Sequence, residues 1–213
     1  MTSPSILETY TINEIFFSIQ GEGIRAGTAN HFVRFSGCNM QCDEEPGPLS
    51  PGGFVCDTEF VSGRKMTLVE ILEELKTLSP SCRWIILTGG EPGLQIDVPL
   101  INFFHEEGYK LAIETNGSIE LPNREGSTID WITVSPKVAE HAIKQPICDE
   151  VKYVRAYGQG IPKPSIKSNH KLISPAFDSG ELPRRNLEWC VALVKDNPEW
   201  RLSLQQHKFM GVR

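Results

Sequence analysis

RWIILTGGEP, residues 83–92, joins a short apolar run to a pair of glycines and predicts a buried strand that ends in a sharp polar turn. Before it, TLVEILEELKTL (67–78) carries apolar residues at helical spacing and begins with the capping-box pair Thr67 and Glu70. After it, DVPLINFFHEEG (97–108) predicts a helix with aspartate at its start and glycine at its end. A strand flanked by helices in this way is typical of a parallel sheet.

The same alternation of strands and helical segments continues along the chain. Further strands are predicted in NHFVRFSG (30–37), YKLAIETNG (109–117), DWITVSPK (130–137), DEVKYV (149–154), HKLISP (170–175) and RLSLQQHKF (201–209). A further helix is predicted in LPRRNLEWCVALVKDNPEW (182–200), ending before Pro198. Six or seven such strands are too few for a closed eight-stranded barrel. The pattern therefore predicts an α/β fold with a mainly parallel sheet, either a partial barrel or an open doubly wound sheet.

Length and composition set the class of protein. The chain has 213 residues, 39% of them hydrophobic and 23% charged, and we expect one domain over residues 1–213. A net charge of -6 argues against a general nucleic-acid binder. The N-terminal stretch has no basic segment followed by an apolar one, and no run reaches the length of a membrane span, so we expect a cytoplasmic protein with no membrane partner.

Three of the six cysteines fall within GCNMQCDEEPGPLSPGGFVCDTEF, residues 37–60. In a reducing compartment such a group indicates metal binding or catalysis rather than a disulfide framework. Cys38, Cys42 and Cys56 can hold a [4Fe-4S] cluster that keeps one iron open for a small molecule. A zinc site with His31 as the fourth ligand, or no metal at all, remains an alternative from the spacing alone. The other three cysteines are expected to be small packing residues.

Polar signatures recur where the predicted strands end: TGGEP, ETNG, SPK, SPAFD and QQHK. The carboxyl ends of parallel strands meet at one edge of the sheet, which is where active sites of such folds lie. We therefore expect these segments, including Glu114 and Asn116, to face one cavity. The alternative is that glycine and proline simply end each strand.

An open iron, a Gly-Gly-Glu turn and an incomplete parallel barrel together resemble the radical S-adenosylmethionine (SAM) superfamily. Within it, the ordered set EIFFSIQGEG (14–23), HFVRFSGCN (31–39), CDTEF (56–60), TGGEP (88–92), AIETNGS (112–118), DWITVSPK (130–137) and WRLSLQQHKF (200–209) resembles the 7-carboxy-7-deazaguanine synthases. The resemblance implies an incomplete TIM-like (βα)6 barrel, abbreviated in places. It implies a lyase that converts 6-carboxy-5,6,7,8-tetrahydropterin to 7-carboxy-7-deazaguanine with loss of ammonia, a step in queuosine and 7-deazapurine biosynthesis.

The resemblance also implies the cofactors and partners. These are a [4Fe-4S] cluster with one open iron, SAM and Mg²⁺, a pterin substrate, a flavodoxin- or ferredoxin-type electron donor and a second copy of the chain in a homodimer. No nucleic acid is expected to bind directly. No side chain is assigned as catalytic, because in this superfamily the radical is generated on SAM.

Site residues carried over from the family fall into four groups. The cluster ligands are Cys38, Cys42 and Cys56, and the Mg²⁺ ligand is Thr58. Substrate contacts are Ile19, Gln20, Gly21, Arg34, which suits the substrate carboxylate, Thr88 and the α-carboxylate of Arg213. SAM contacts are Asp57, Gly90, Glu91, Ser135, Pro136, Lys137, Ser174, Pro175, Ala176 and Phe177. The alternative for Arg213 is a frayed terminus, and that for Thr58 is an ordinary turn residue.

The cluster loop departs from the common superfamily spacing of Cys-x3-Cys-x2-Cys. Here thirteen residues separate Cys42 from Cys56, so the loop spanning 38–56 contains an insertion. Some family members place the middle ligand three residues before the last cysteine, but this chain has Gly53 there, which leaves Cys42. Two other functions remain open: an activase that installs a glycyl radical on a partner protein, and a zinc-stabilised binding module.

Overall fold

The computed structural model describes residues 9–42, 56, 58–122, 126, 128–178 and 180–213. Nine strands of this part form one sheet: β1 (Thr9–Ile19), β2 (Ala29–Phe35), β3 (Arg64–Thr67), β4 (Trp84–Gly89), β5 (Lys110–Thr115), β6 (Trp131–Val134), β7 (Ile147–Arg155), β8 (Lys167–Pro175) and β9 (Trp200–Leu202). The helices are α1 (Leu68–Leu78), α2 (Val98–Glu106), α3 (Arg184–Asp196) and α4 (Gln206–Met210).

The strand order is β3-β1-β2-β4-β5-β6-β7-β8-β9. From β2 to β9 every neighbouring pair is parallel, whereas β1 runs antiparallel to both β2 and β3. The prediction of a mainly parallel α/β sheet is confirmed. The antiparallel strands β1 and β3 were not predicted, although β1 precedes the QGEG segment and positions it.

Local sequence explains the helix boundaries. Thr67 caps α1 through the predicted capping box. Its side chain accepts from the backbone N–H of Glu70, and the Glu70 carboxylate accepts from the backbone N–H of Thr67. The carboxylate of Asp97 caps α2 by accepting from the N–H of Leu100. Gly108, with a φ of 80°, follows α2 in the left-handed region that favours glycine.

Helices α1 and α2 cover one face of the sheet and form the main core with it. Val33, Phe35, Leu87, Leu111 and Ile113 point to this side and are almost completely buried. The opposite, inner face carries a smaller apolar cluster made of Phe16, Phe32, Ile86 and Ala112. Because side chains alternate along a strand, the residues two positions later on this inner face are Arg34, Thr88 and Glu114, so the interior becomes polar towards the carboxyl edge.

The barrel is abbreviated in its second half. In the described residues no α-helix separates β5 from β6, β6 from β7 or β7 from β8, and only a single 3-10 turn at Glu140–Ala142 lies there. The predicted last strand, 201–209, was too long: it ends at Leu202, and Gln206–Met210 is helical instead. The chain leaves the sheet there because the backbone N–H of Gln206 donates to Gly21 O at 2.9 Å. None of the described helices is both long enough and apolar enough to cross a membrane.

Candidate active site

A cavity of about 860 Å³ opens at the carboxyl edge of the parallel strands. Its walls come from the loops after β1 and β2, the ends of β4 to β8, and the segment that runs from β9 into α4. The lining includes Glu22, Cys38, Cys42, Cys56, Thr58, Thr88, Gly90, Glu114, Asn116, Thr133, Ser135, Lys137, Lys152, Ser174, Pro175, Ala176, Phe177, Gln205 and Lys208. The strand-end segments therefore converge as expected, and Glu114 and Asn116 do face the cavity.

Cys38, Cys42 and Cys56 line this one cavity although thirteen residues separate Cys42 from Cys56. Burial raises the pKa of the Cys38 thiol, and the nearby charges of Glu91, Cys42 and Cys56 act in the same direction. Burial also raises the pKa of Cys42, while Lys137 opposes that shift. The three thiols thus influence one another electrostatically, and a bound cation would relieve the cost of ionising them together.

The donor set fits an iron–sulfur cluster better than zinc. Among the described residues no group of three or more His, Cys, Asp or Glu side chains already stands in a metal-holding arrangement, and 43–55 lie outside that set. The proposed fourth zinc ligand, His31, is wrong: it is fully buried on the helix-covered face, with Nε2 3.1 Å from Ser79 O. Three thiols around one cavity, with no fourth ligand among the residues that the structure describes, match a cluster that keeps one iron open.

The Gly-Gly-Glu turn lies directly under the cysteine loop. Gly89 has a φ of 123°, and a Cβ at Gly90 would overlap the carbonyl oxygen of Gly37. The backbone N–H of Glu91 donates to that same oxygen at 2.9 Å. The turn therefore requires glycine for close packing against the residue before Cys38, and Gly90 remains on the cavity wall.

Unlike Gly90, Glu91 does not face the cavity. Its side chain is fully buried and does not line the cavity. The carboxylate accepts from Thr115 Oγ1 at 2.7 Å, from the N–H of Asn116 at 2.7 Å and from the N–H of Gly93 at 2.8 Å. Burial raises its pKa despite these donors. Glu91 thus joins the ends of β4 and β5, and the SAM contact expected of its side chain stays a prediction.

An amide clasp fixes the cysteine loop from the other side. Asn39 Nδ2 donates to Ser118 Oγ at 2.8 Å, and Asn116 Nδ2 donates to Asn39 Oδ1 at 3.1 Å. The backbone N–H of Ser118 in turn donates to Asn116 Oδ1 at 2.8 Å. The ETNG segment, noted in the sequence without an assigned role, therefore holds the residue next to Cys38.

The remaining SAM candidates lie on the later strands. Ser135, Lys137, Ser174, Pro175, Ala176 and Phe177 all line the cavity, whereas Pro136 does not. Lys137 Nζ lies 3.4 Å from Ser135 Oγ, and Lys208 stands over the ring of Phe177 at 4.1 Å. Asp57 lies outside the described residues. Thr58, the Mg²⁺ candidate, lines the cavity next to Cys56.

The substrate candidates divide into those on the cavity wall and those behind it. Thr88 lines the cavity, and its hydroxyl lies 3.3 Å from Glu114 Oε2. Gln20 is buried behind that wall and donates to Glu114 Oε1 at 2.8 Å. Ile19 ends β1, and Gly21 packs so closely against His207 that a Cβ there would overlap the imidazole. Neither of these two residues lines the cavity.

Arg34 and Arg213 share a partner, Glu14, and neither arginine lines the cavity. Arg34 Nε lies 3.0 Å from Glu14 Oε1, and Arg213 Nη2 lies 2.8 Å from Glu14 Oε2. The carbonyl of Arg213 accepts from Ser18 Oγ at 2.6 Å. Residue 213 is therefore seated against β1 instead of frayed. The substrate contacts assigned to both arginines stay predictions.

Glu22, Lys152 and Gln205 line the cavity but were not assigned a role from the sequence. Glu22 belongs to the QGEG segment, in which Gln20 and Gly21 received the assignments, and Gln205 belongs to the QQHK segment, in which no residue was assigned. Lys152 had its own signal, since a lysine between apolar residues in DEVKYV is unusual for a buried strand. Its side chain is 10% exposed and bonds to Glu22.

Comparison with known proteins places this chain among close relatives of one activity, although no family model matches it. It is 41% identical over 205 residues to the 7-carboxy-7-deazaguanine synthase of Bacteroides thetaiotaomicron, covering 95% of this chain and 98% of the relative. It is 39% identical over 228 residues to that of Nitratidesulfovibrio vulgaris, covering 96% and 99%. The crystal structure of QueE from Escherichia coli matches with a TM-score of 0.66 at 23% identity, covering 93% of this chain and 95% of that one, and confirms the fold.

Proposed function

Because this chain belongs to the 7-carboxy-7-deazaguanine synthase family, we propose that it converts 6-carboxy-5,6,7,8-tetrahydropterin to 7-carboxy-7-deazaguanine with loss of ammonia, as a radical SAM enzyme. One observation carries the proposal beyond the family name: Cys38, Cys42 and Cys56 line the same cavity as the Thr88–Gly90 turn. When bound, the [4Fe-4S] cluster and SAM supply the radical that abstracts hydrogen from the substrate.

This chain's own residues hold the two small molecules in a fixed relation. The three cysteines would hold the cluster, and Gly90, Ser135, Lys137 and Ser174 to Phe177, which line the cavity, would hold SAM. Thr88 and Glu114 stand on adjacent strands deeper in the same cavity, where they would contact the substrate ring. By holding both reactants in one site, such a protein orients them for reaction and protects the reactive intermediate from side reactions.

Several finer properties belong to the same proposal. Mg²⁺ would bind at Thr58, with the substrate carboxylate and water completing its oxygen ligands. The electron would come from a flavodoxin- or ferredoxin-type protein, and the enzyme would work as a cytoplasmic homodimer. The support for these properties is family membership together with the position of Thr58 next to Cys56 on the cavity wall.

One anaerobic experiment tests the function. The protein is reconstituted with iron and sulfide, reduced, and supplied with SAM, Mg²⁺ and the carboxytetrahydropterin, and the deazaguanine product and ammonia are quantified. We expect equal amounts of both products and none without SAM. A colourless protein that contains zinc would overturn the proposal. A brown protein that cleaves SAM without forming a deazaguanine would support the glycyl-radical activase instead.

A further inference from the structure

Lys152 and Glu22 form an ion pair inside the barrel that none of the assigned roles explains. Lys152 stands three residues before the end of β7, so it lies deeper than Ser174, which is one residue from the end of β8. Its Nζ donates to Glu22 Oε2, and Gln205 Nε2 donates to Glu22 Oε1 at 2.8 Å. Side-chain exposure is 10% for Lys152 and 15% for Glu22, and all three residues line the cavity.

Lys152 is surrounded by an excess of carboxylates. Besides Glu22, its own strand contributes Glu150, which accepts from Thr133 Oγ1 and from the N–H of Ile24 at 2.8 Å each. Strand β5 contributes Glu114, whose charge also acts on Lys152. Among the described residues Glu22 is the one hydrogen-bond acceptor of Lys152 Nζ. The lysine therefore balances several negative charges while making its direct bond to one of them.

The protonation states follow from these neighbours. Burial alone would lower the pKa of Lys152, but the charges of Glu22, Glu114 and Glu150 outweigh it and raise the pKa. Burial alone would raise the pKa of Glu22, but Lys152, Gln205 and, from α4, the charge of His207 outweigh it, and that pKa is lowered. At neutral pH the pair is consequently ionised.

The depth of the pair indicates what it faces. The reacting part of the substrate must lie near SAM, at the end of the cavity lined by the cysteines. The opposite end of the pterin, an aminopyrimidinone with N–H donors, then points to the deeper wall. Each oxygen of Glu22 has a second lone pair beyond its bond to Lys152 or Gln205, so the carboxylate can still accept from a ligand.

We propose that Lys152 is a positioning residue, which keeps Glu22 ionised and oriented so that its carboxylate accepts hydrogen bonds from the aminopyrimidinone ring of the substrate. This inference rests on the proposed function for the identity of that ring. The ligand-free pair itself does not depend on it, so the two ideas can fail separately.

The pH dependence of KM tests the role of Lys152 in a way that mere structural support would not reproduce. In Lys152→Met, burial of Glu22 is opposed by Gln205 and His207 without the lysine, so the pKa of its carboxyl group should rise towards the neutral range. We expect the pterin KM to rise about 10- to 100-fold at neutral pH, as for a lost hydrogen bond to a charged group, and to recover towards alkaline pH. In the wild type Glu22 stays ionised, so it should cause no change in the pterin KM between neutral and alkaline pH.

Three matched variants complete the design. Lys152→Arg retains the charge and should restore a KM that is insensitive to pH. Lys65→Met, at an exposed position of β3, controls for loss of a lysine elsewhere. Lys152→Met/Glu22→Gln removes both buried charges, which protects folding, and should show a raised KM without pH dependence.

A second measurement needs no substrate and no cluster. The ¹³C shift of the Glu22 side-chain carboxyl group, followed against pH, should show an ionised group throughout the neutral range in the wild type and a titration within it in Lys152→Met. If Lys152→Met keeps the wild-type KM profile, or if Glu22 in that variant stays ionised, the inference is overturned. A wild-type protein that makes no deazaguanine would overturn the proposed function, while the carboxyl titration would still decide the role of Lys152.

Discussion

Gly90 lies directly against Gly37, so that the turn after β4 and the turn before Cys38 touch backbone to backbone. The contact is reinforced by the N–H of Gly90, which donates to Phe35 O at 3.1 Å, and by that of Glu91, which donates to Gly37 O. The residue that faces the predicted SAM site therefore also determines where the first cluster ligand stands.

Gly90→Ala should destabilise the protein and impair cluster loading together. The added methyl group overlaps a backbone carbonyl that cannot rotate away, and overpacking of this kind costs about 1–3 kcal/mol of unfolding free energy. Gly160→Ala is the matched control, because a Cβ at Gly160 meets no atom within 4 Å. Denaturant unfolding and the iron content after reconstitution measure the two effects. Equal results for the two variants would contradict the role assigned to this contact.

Cys42→Ala should abolish cluster assembly, since Gly53 removes the alternative middle ligand and Cys42 lines the cavity with Cys38 and Cys56. Cys82→Ser is the control, because Cys82 is half-buried beside Ala29 O and Trp84 O and does not line the cavity. Iron and sulfide content and the brown visible absorption report the outcome. A Cys42→Ala protein with a full cluster would show that this ligand assignment is wrong.

Much of the fold and part of the site could be predicted because periodic apolar residues and strand-end glycines are local signals. The capping box at Thr67 and the convergence of TGGEP, ETNG and SPK on one edge are examples. The antiparallel strand β1 was missed because its pairing with β2 and β3 depends on contacts distant in sequence. Strand pairing between segments that are distant in sequence leaves no local pattern from which it could be predicted.

Side-chain orientation was the second limit. Motif matching assigned Glu91 to SAM, which stays a prediction, but it did not indicate that the Glu91 oxygens accept from Thr115, Asn116 and Gly93 behind the cavity wall. It gave no role to Lys152, whose partner Glu22 lies 130 residues away. The hydrogen-bond partner of a buried charged group is determined by tertiary packing, and a short sequence motif does not contain that information.

Arg34→Lys should raise the pterin KM more than it lowers kcat. A lysine keeps the charge but loses the planar fork that matches a carboxylate, so the loss should appear in substrate binding, by about 10-fold or more. Arg64→Lys provides the control, since Arg64 is also an arginine paired with a glutamate, Glu74, but lies on β3. Steady-state kinetics at fixed SAM concentration distinguish the two. An unchanged KM in Arg34→Lys would remove this residue from the substrate site.

Glu59 should hold the turn after Thr58 down to strongly acidic pH. Hydrogen bonds from Ser62, Asn13 and Val61 lower the pKa of its carboxyl group to about 2. Because the folded-state pKa is depressed, the stabilisation is present above the ordinary glutamate pKa and is lost only as the pH falls through about 2. A pH titration of the Glu59 side-chain carboxyl shift by NMR checks this, and a midpoint near the ordinary value would contradict it.

The amide clasp at Asn39 should matter for cluster assembly more than for stability. Asn39→Ala removes its hydrogen bonds with Ser118 and Asn116 next to Cys38, and each bond to a neutral group contributes about 1 kcal/mol. We expect a small loss of unfolding free energy and a clearly slower recovery of iron–sulfur absorption during reconstitution, because the loop that presents Cys38 would be less constrained.

Asn197→Ala separates the two effects of the clasp. Asn197 follows α3 and its side chain donates to Leu193 O at 2.8 Å, so the substitution removes a comparable hydrogen bond away from the cysteines. Its unfolding free energy should fall by about half as much, because one hydrogen bond is lost instead of two, while the rate of cluster reconstitution stays at the wild-type value. If both asparagine variants reconstitute at the same rate, Asn39 supports the fold alone, and the cysteine loop must be held in place by the contact between Gly90 and Gly37.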